Sequence, residues 1–236
     1  HVTRLTQSDT FTFSCHKKVK CFTECCRMLE LALTPYDVLR LRMATGRTSR
    51  QLLDNYIIIE QEPGEPFPRF YLTMIDDGRA SCIFVADQGC TVYEHRPAAC
   101  RAYPLGRAVM RDESGAKQEH FVLVRENHCH GFQEAVVQDA RQYSRDQDLP
   151  VYNRFNDKVA AILQHDAIRK GFIPSSTQID LFILALYNID TFREMVLNDQ
   201  LETTSLTKTE KECLKNDEEM LLFGINWVSQ QLFDPL

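Results

Sequence analysis

The sequence predicts an α+β protein: a small Cys-rich metal-binding region with a short antiparallel sheet, then an all-helical C-terminal half. Three observations carry this. Eight of the nine cysteines fall within the first 130 residues. Between residues 56 and 126 the chain is rich in β-branched and aromatic residues, interrupted by turn formers. Beyond residue 134 apolar residues recur at threes and fours, the period of a helix with one buried face. The expected boundaries are 1–133 for the cysteine-cluster domain and 134–236 for a helical region packed on it.

In chain order, residues 1–14 read as a loose lead-in or short strand. LTPYDVLRLRMATG (33–46) is a punctuated helix: Thr34 caps it, Pro35 suits its first turn, Asp37 favours its positive end and Gly46 closes it. A second short helix is expected from Thr48 or Ser49, using Leu52, Leu53 and Tyr56. Strands are expected at YIIIE (56–60), RFYLTMI (69–75), CIFVA (82–86), GRAVMR (106–111) and HFVLVRE (120–126). EPGEPFP (62–68) and DDG (76–78) are turns, and DESGAK (112–117) reads as a hairpin loop. Four helical stretches follow, at 136–147, 151–171, 177–198 and 207–233. Gly171 and Pro174 separate the second from the third, and Thr207 with Glu210 makes a capping box for the last. Tyr152, Phe155, Val159, Ile162 and Leu163 form a stripe expected in the core.

At 236 residues the chain can bury a core without cross-links. No apolar run approaches the roughly 20 residues of a membrane helix, since LFILALY is bounded by Asp180 and Asn188. An odd cysteine count in a chain of this size favours a reducing, cytoplasmic setting, in which paired cysteine blocks more often mean metal than disulfides. Residues 1–111 carry a net charge of +3 and residues 112–236 one of −9, which gives −6 for the whole. That balance argues against binding a nucleic-acid backbone, which needs a concentrated basic face. It leaves the acidic helical half as a surface for a protein partner.

The candidate chemistry lies in two cysteine blocks: Cys15, Cys21, Cys25 and Cys26, then Cys82, Cys90, Cys100 and Cys129. Several thiolates converge stably when a metal neutralises them, and soft sulfur selects zinc, copper(I) or iron–sulfur clusters. The spacing is neither a zinc ribbon nor the bacterial ferredoxin run. Adjacent side chains tend to diverge, so the Cys25–Cys26 doublet suits sulfurs that serve different metal atoms. A polynuclear iron–sulfur cluster, of [4Fe–4S] or another type, is therefore preferred as cofactor, with zinc as the alternative. His16, His128 and His130 flank these cysteines as possible ligands or supporting groups. Arg96, Arg101 and Arg107 could offset cluster charge or simply brace loops. Pro97 and Pro104 bracket the CRxY turn and would aim Cys100 inward. Tyr93 and Tyr103 read as packing residues and Cys213 as a lone thiol. The closest pair of glycines is nine residues apart, so Walker-type and GxGxxG phosphate loops are excluded, and no HExxH or GxSxG occurs. The catalytic residues, if the chain is an enzyme, stay unknown.

The run F-x-C-x5-C-x3-CC, the TPYDVLRL helix, then CIFV and GCTVYEHRPAACRAYP resemble the YkgJ-type cysteine-cluster family, described as a zinc- or iron-chelating domain. They are also similar to the cysteine-rich region of the flagellin lysine N-methylases, which carry an iron–sulfur cluster. The likeness spans about residues 13–130. It implies metal binding by Cys15, Cys21, Cys25, Cys26, Cys82, Cys90, Cys100 and Cys129. Three functions follow as expectations. The first is an iron–sulfur protein with a redox, metal-handling or sensing role. The second is a zinc-stapled protein-interaction module, and the third a cluster-dependent protein lysine N-methyltransferase.

Overall fold

The structure is a computed structural model that describes residues 1–6, 8–111, 117–201 and 206–234. Short antiparallel sheets occupy the N-terminal half and helices the C-terminal half, the expected α+β architecture. The chain divides into two compact units that interleave in sequence. One comprises His1–Leu29, Met74–Tyr93 and Ala98–Val151, and the other Glu30–Thr73, Glu94–Pro97 and Tyr152–Leu236.

The first unit carries every cysteine of the two blocks. Its main sheet orders the strands Val2–Leu5, Lys117–Val124 and Leu105–Arg111, all antiparallel, with Val2 opposite Val124 and Leu105 opposite Leu123. The hairpin loop expected between the last two strands lies, at 112–116, outside the described residues. A second pair joins Thr10–Thr12 to Val137–Asp139. Val137–Asp139 was expected to open a helix; it pairs instead as a strand with Thr10–Thr12, and Asp139 then caps the helix Ala140–Asp146 by accepting from the Gln142 N–H at 2.7 Å. Phe11, Phe13, Leu105, Leu123, Ala140 and Tyr143 form the core between these pieces. Phe13 meets Tyr103 and Tyr143 edge-on at 6.0 Å between ring centres in each case.

The second unit is mainly helical. Helix Pro35–Thr45 begins at the expected Thr34 cap, which proves to be a full capping box: Thr34 Oγ1 accepts from the Asp37 N–H while the Asp37 carboxylate accepts from the Thr34 N–H, and Gly46 ends it at φ 64°. Thr48 caps Ser49–Asn55 in the same way with Gln51. The strand Ile57–Glu60 pairs with Arg69–Leu72, and Leu31 and Leu33 hydrogen-bond to the outer edge of the latter. Apolar alternation alone predicted longer strands, but 69–75 divides into Arg69–Leu72 and Met74–Ile75, and 82–86 into Ser81–Cys82 and Val85–Ala86.

Three predicted helices are also divided, the first of them 151–171, which forms Leu149–Leu163 and Asp166–Arg169. Residues 177–198 form Ser176–Leu186 and Ile189–Leu197, and 207–233 form Lys208–Cys213 and Asp217–Phe233. Asn216 makes the second break by accepting from the Glu218 and Glu219 N–H groups at 2.9 and 3.1 Å. Tyr36 stacks on Phe155 at 4.3 Å, Phe70 on Tyr187 at 3.5 Å, and Phe192 packs on Trp227 at 5.1 Å. Tyr152, Phe155, Val159 and Ile162 are buried as expected, but Leu163 is 41% exposed at the helix end. Arg42 bridges Asp190 and Asp217 at 2.7 and 2.8 Å. Burial pushes Asp190 up, yet the bonds from Arg42 and Ser49 outweigh it and hold the carboxyl below its ordinary range. The bridge therefore contributes stability above that range and loses it as pH falls through the lowered value.

Helix Asp217–Phe233 lies so close to Ser176–Leu186 that a Cβ on Gly224 would stand 2.5 Å from the Ala185 carbonyl oxygen. In an open helix Gly→Ala gains about 1 kcal/mol. Here overpacking against backbone should reverse the sign, and Gly224→Ala is expected to lower the unfolding free energy by about 1–3 kcal/mol in urea titrations.

Candidate metal centre

The first cysteine block is wound by a succession of tight turns. The N–H groups of Val19, Phe22, Glu24 and Cys26 donate to the carbonyls three residues earlier at 2.9–3.0 Å, and Thr23 takes φ 69° before the turn Glu24–Cys26. Val19 is buried and anchors this winding. The rest of the fold then brings the second block to it. Met28 N–H donates to the Ala80 carbonyl at 2.8 Å, Arg27 bridges Ser81, and Cys82 follows directly on a strand paired with Met74–Ile75. Cys90 sits on Gly89–Cys90, paired with Val85–Ala86. Gly89, at φ 114°, meets the ring of Phe22, where a Cβ would be 2.9 Å from Cζ.

The other end of the block is closed by the segment around Cys129. Ser14 N–H donates to the Gly131 carbonyl at 3.0 Å, immediately before Cys15. His130 N–H donates to Cys21 Sγ at 3.1 Å. A Cβ on Gly131 would lie 2.6 Å from the Phe13 ring and 2.9 Å from the Ser14 carbonyl oxygen, so the approach depends on glycine.

The thiols influence one another in two groups. Cys26 hydrogen-bonds to Cys25 and feels Cys100 and Cys82, while Cys82 in turn feels Cys90. Cys129 lies against Cys21. The doublet does not splay as expected, because the Glu24–Cys26 turn folds both sulfurs together. Donation from Cys26 holds the Cys25 thiol down to about 7, whereas the same bond, followed by burial, pushes Cys26 far up. Burial first and Cys90 next raise Cys82. No disulfide joins these cysteines.

Cys100 does not point inward: the CRxY segment forms a short helix, Ala98–Ala102, with Cys100 on its exposed side. Arg101 is buried and braces the unit, donating to the Gln147 carbonyl at 3.0 Å and lying 3.6 Å from Asp148. Arg107 pairs with Glu119 across the sheet at 2.7 Å. The Arg96 carbonyl accepts from Tyr152 Oη in the helical unit. His16 accepts the Lys18 N–H at Nδ1, which leaves Nε2 to donate to Glu134 at 3.1 Å. His130 faces Gln133 at 3.4 Å, and His128 lies 3.7 Å from Glu126. Tyr93 is half exposed, and Cys213 is exposed at the end of Lys208–Cys213.

Tyr103, read from sequence as packing, has its hydroxyl buried without a hydrogen bond among the described residues. Burial first, then Cys129, push its pKa up. Nothing in the periodicity of the chain signals this, although the glycine directly after Cys-His in NHCHG is a hint of the close approach.

Among the described residues, no three His, Cys, Asp or Glu side chains are arranged to hold one metal ion. The donor chemistry nevertheless suits a thiophilic metal: thiols from four separate segments, a backbone N–H on one sulfur and an unsatisfied phenol beside another. Thiolates close fully only around the ion that neutralises them.

Fold and thiol grouping thus define an α+β protein with a cysteine-gathering unit. Residues 14–130, about half the chain, match the family described as "CxxCxxCC: Putative zinc- or iron-chelating domain", and the chain belongs to it. Its first block is spaced C-x5-C-x3-CC rather than as the family's title spells it. No curated protein and no solved structure matches the chain. Among the described residues, no helix is long and apolar enough to cross a membrane.

In the metal-free protein an alkylating reagent near pH 7 should label Cys25 before Cys26 or Cys82, read by peptide mass spectrometry. Cys26→Ala removes the donor and returns Cys25 toward its ordinary value of about 8.5, so labelling at pH 7 should slow several-fold. Equal labelling of Cys25 in the two proteins would refute the hydrogen bond.

Proposed function

We propose that the chain is a metal-thiolate protein whose eight clustered cysteines hold an iron–sulfur cluster for a redox, metal-handling or sensing role. The observation that carries the reading is electrostatic: Cys26, bonded to Cys25, feels both Cys82 and Cys100, thiols separated by up to 75 positions in the sequence. With the doublet's sulfurs together, the support for a polynuclear centre is the number of thiols gathered near them rather than a divergence of the pair. Membership of a zinc- or iron-chelating family supports metal binding of either kind. When bound, an iron–sulfur centre would supply one-electron chemistry at a potential set by charge, hydrogen bonds to sulfur and exposure.

The chain's own residues do the rest. The turns at 16–26 pre-wind four ligands, and the Gly131 and Gly89 approaches seal the second block against them. The His130 N–H offsets charge on Cys21 and favours its thiolate form. Zinc is the second reading, since the family description names it, and it would make the centre a structural staple. The acidic helical half is then the surface we assign to a protein partner in either case.

Anaerobic purification with visible absorption and iron, zinc and sulfide analysis separates these readings. Iron with acid-labile sulfide and a broad charge-transfer band is expected, while colourless protein with stoichiometric zinc would replace the redox reading. Cys25→Ser, Cys26→Ser, Cys82→Ser and Cys100→Ser should each lose most of the metal. Cys213→Ser should keep its full load.

A further inference from the structure

We infer that Tyr103 is a positioning residue for the metal centre, its phenol donating a hydrogen bond to the sulfur of Cys129 once that sulfur is a metal-bound thiolate. The inference rests on the reading of the cysteines as ligands and deepens it by assigning a role outside the ligand set.

Three observations carry it. The first is the hydroxyl itself, which is buried yet makes no hydrogen bond among the described residues. A buried hydroxyl without a partner is costly, and such groups in native proteins point to a role or to an absent ligand. The second is that the ring has no freedom to seek another partner. Its edge-to-face contact with Phe13 fixes the ring, and Tyr143 Oη donates to the Tyr103 carbonyl and so pins the backbone. The third is that Cys129 packs against the same core cluster as Tyr103. The Cys129 thiol already acts on the phenol, ahead of the Glu126 carboxylate.

A neutral thiol is a weak acceptor, which leaves the donor unsatisfied; a thiolate is a charged one, and O–H to anion bonds are among the strongest in proteins. A thiolate at Cys129 would therefore give the buried Tyr103 hydroxyl a charged acceptor. Cys21 is served in parallel by the His130 N–H. The two sulfurs of this group would each receive one donor.

The test compares wild-type chain and Tyr103→Phe, loaded anaerobically with iron and sulfide, and separately with cobalt(II) as a coloured stand-in for zinc. Three readouts are taken: metal affinity, the energy of the thiolate-to-metal band, and thermal stability without metal. Loss of a supporting hydrogen bond should weaken affinity by about 10-fold or more and move the band to lower energy. The metal-free variant should be at least as stable as wild type, because the change deletes an unsatisfied buried group. A purely structural tyrosine would give the reverse: lower stability and an unchanged band. A fluorotyrosine in place of Tyr103, a stronger donor of nearly the same shape, should move the band to higher energy and covers the case in which Tyr103→Phe folds poorly. If neither replacement moves the band, the phenol serves Glu126 or packing and the inference fails while the metal reading stands. If wild type takes up neither iron nor cobalt, the metal reading itself fails and this inference with it.

Discussion

Gly131 has no room for a side chain, and that shortage of space holds the cysteine-bearing unit in its working form. Its backbone lies against the Phe13 ring and the Ser14 carbonyl, and the Ser14 N–H returns a hydrogen bond to it. This contact ties residue 14 to residue 131 across most of the unit. Cys15 follows one partner and Cys129 precedes the other, so a single backbone approach sets the reach of two thiols more than a hundred positions apart. The His130 N–H, fixed between them, can then point at Cys21. A bulkier residue at 131 would part these segments before it disturbed any cysteine.

The remaining thiols depend on a similar arrangement at lower cost. Phe22 sits between Cys21 and Cys25 in sequence and fills the space beside Gly89, so the first block and the Cys90 strand are spaced by one aromatic ring. Arg27 and Met28 continue the chain from the doublet onto Ser81 and Ala80, delivering Cys82. The doublet thereby becomes an asymmetric pair, one sulfur anionic near neutrality and the other a donor to it. Positive charge from a metal would favour the thiolate form of such an array.

Local signals were legible in the sequence where one residue makes one decision. Thr34 and Thr207 cap where they were expected to, and Thr48 takes the cap that the sequence left between it and Ser49. The cysteine blocks and the turn-rich loops between them were equally plain. What stayed hidden depends on distant partners. The break at Asn188 interrupts a continuous apolar period because its side chain accepts from Ser49 Oγ, 139 positions away. Val137–Asp139 becomes a strand because Thr10–Thr12 offers an edge. Cys100 faces out because the segment coils into a helix rather than a turn. Tyr103 looked like packing because sequence gives no view of which buried hydroxyls find partners.

Metal-edge X-ray absorption on anaerobically purified chain tests the thiolate centre most directly, because it counts the atoms bound to the ion. A shell dominated by sulfur, at about 2.3 Å, is expected, and it should shrink in Cys26→Ser and persist in Cys213→Ser. A shell of nitrogen and oxygen alone, at about 2.0–2.2 Å, would contradict ligation by the clustered cysteines.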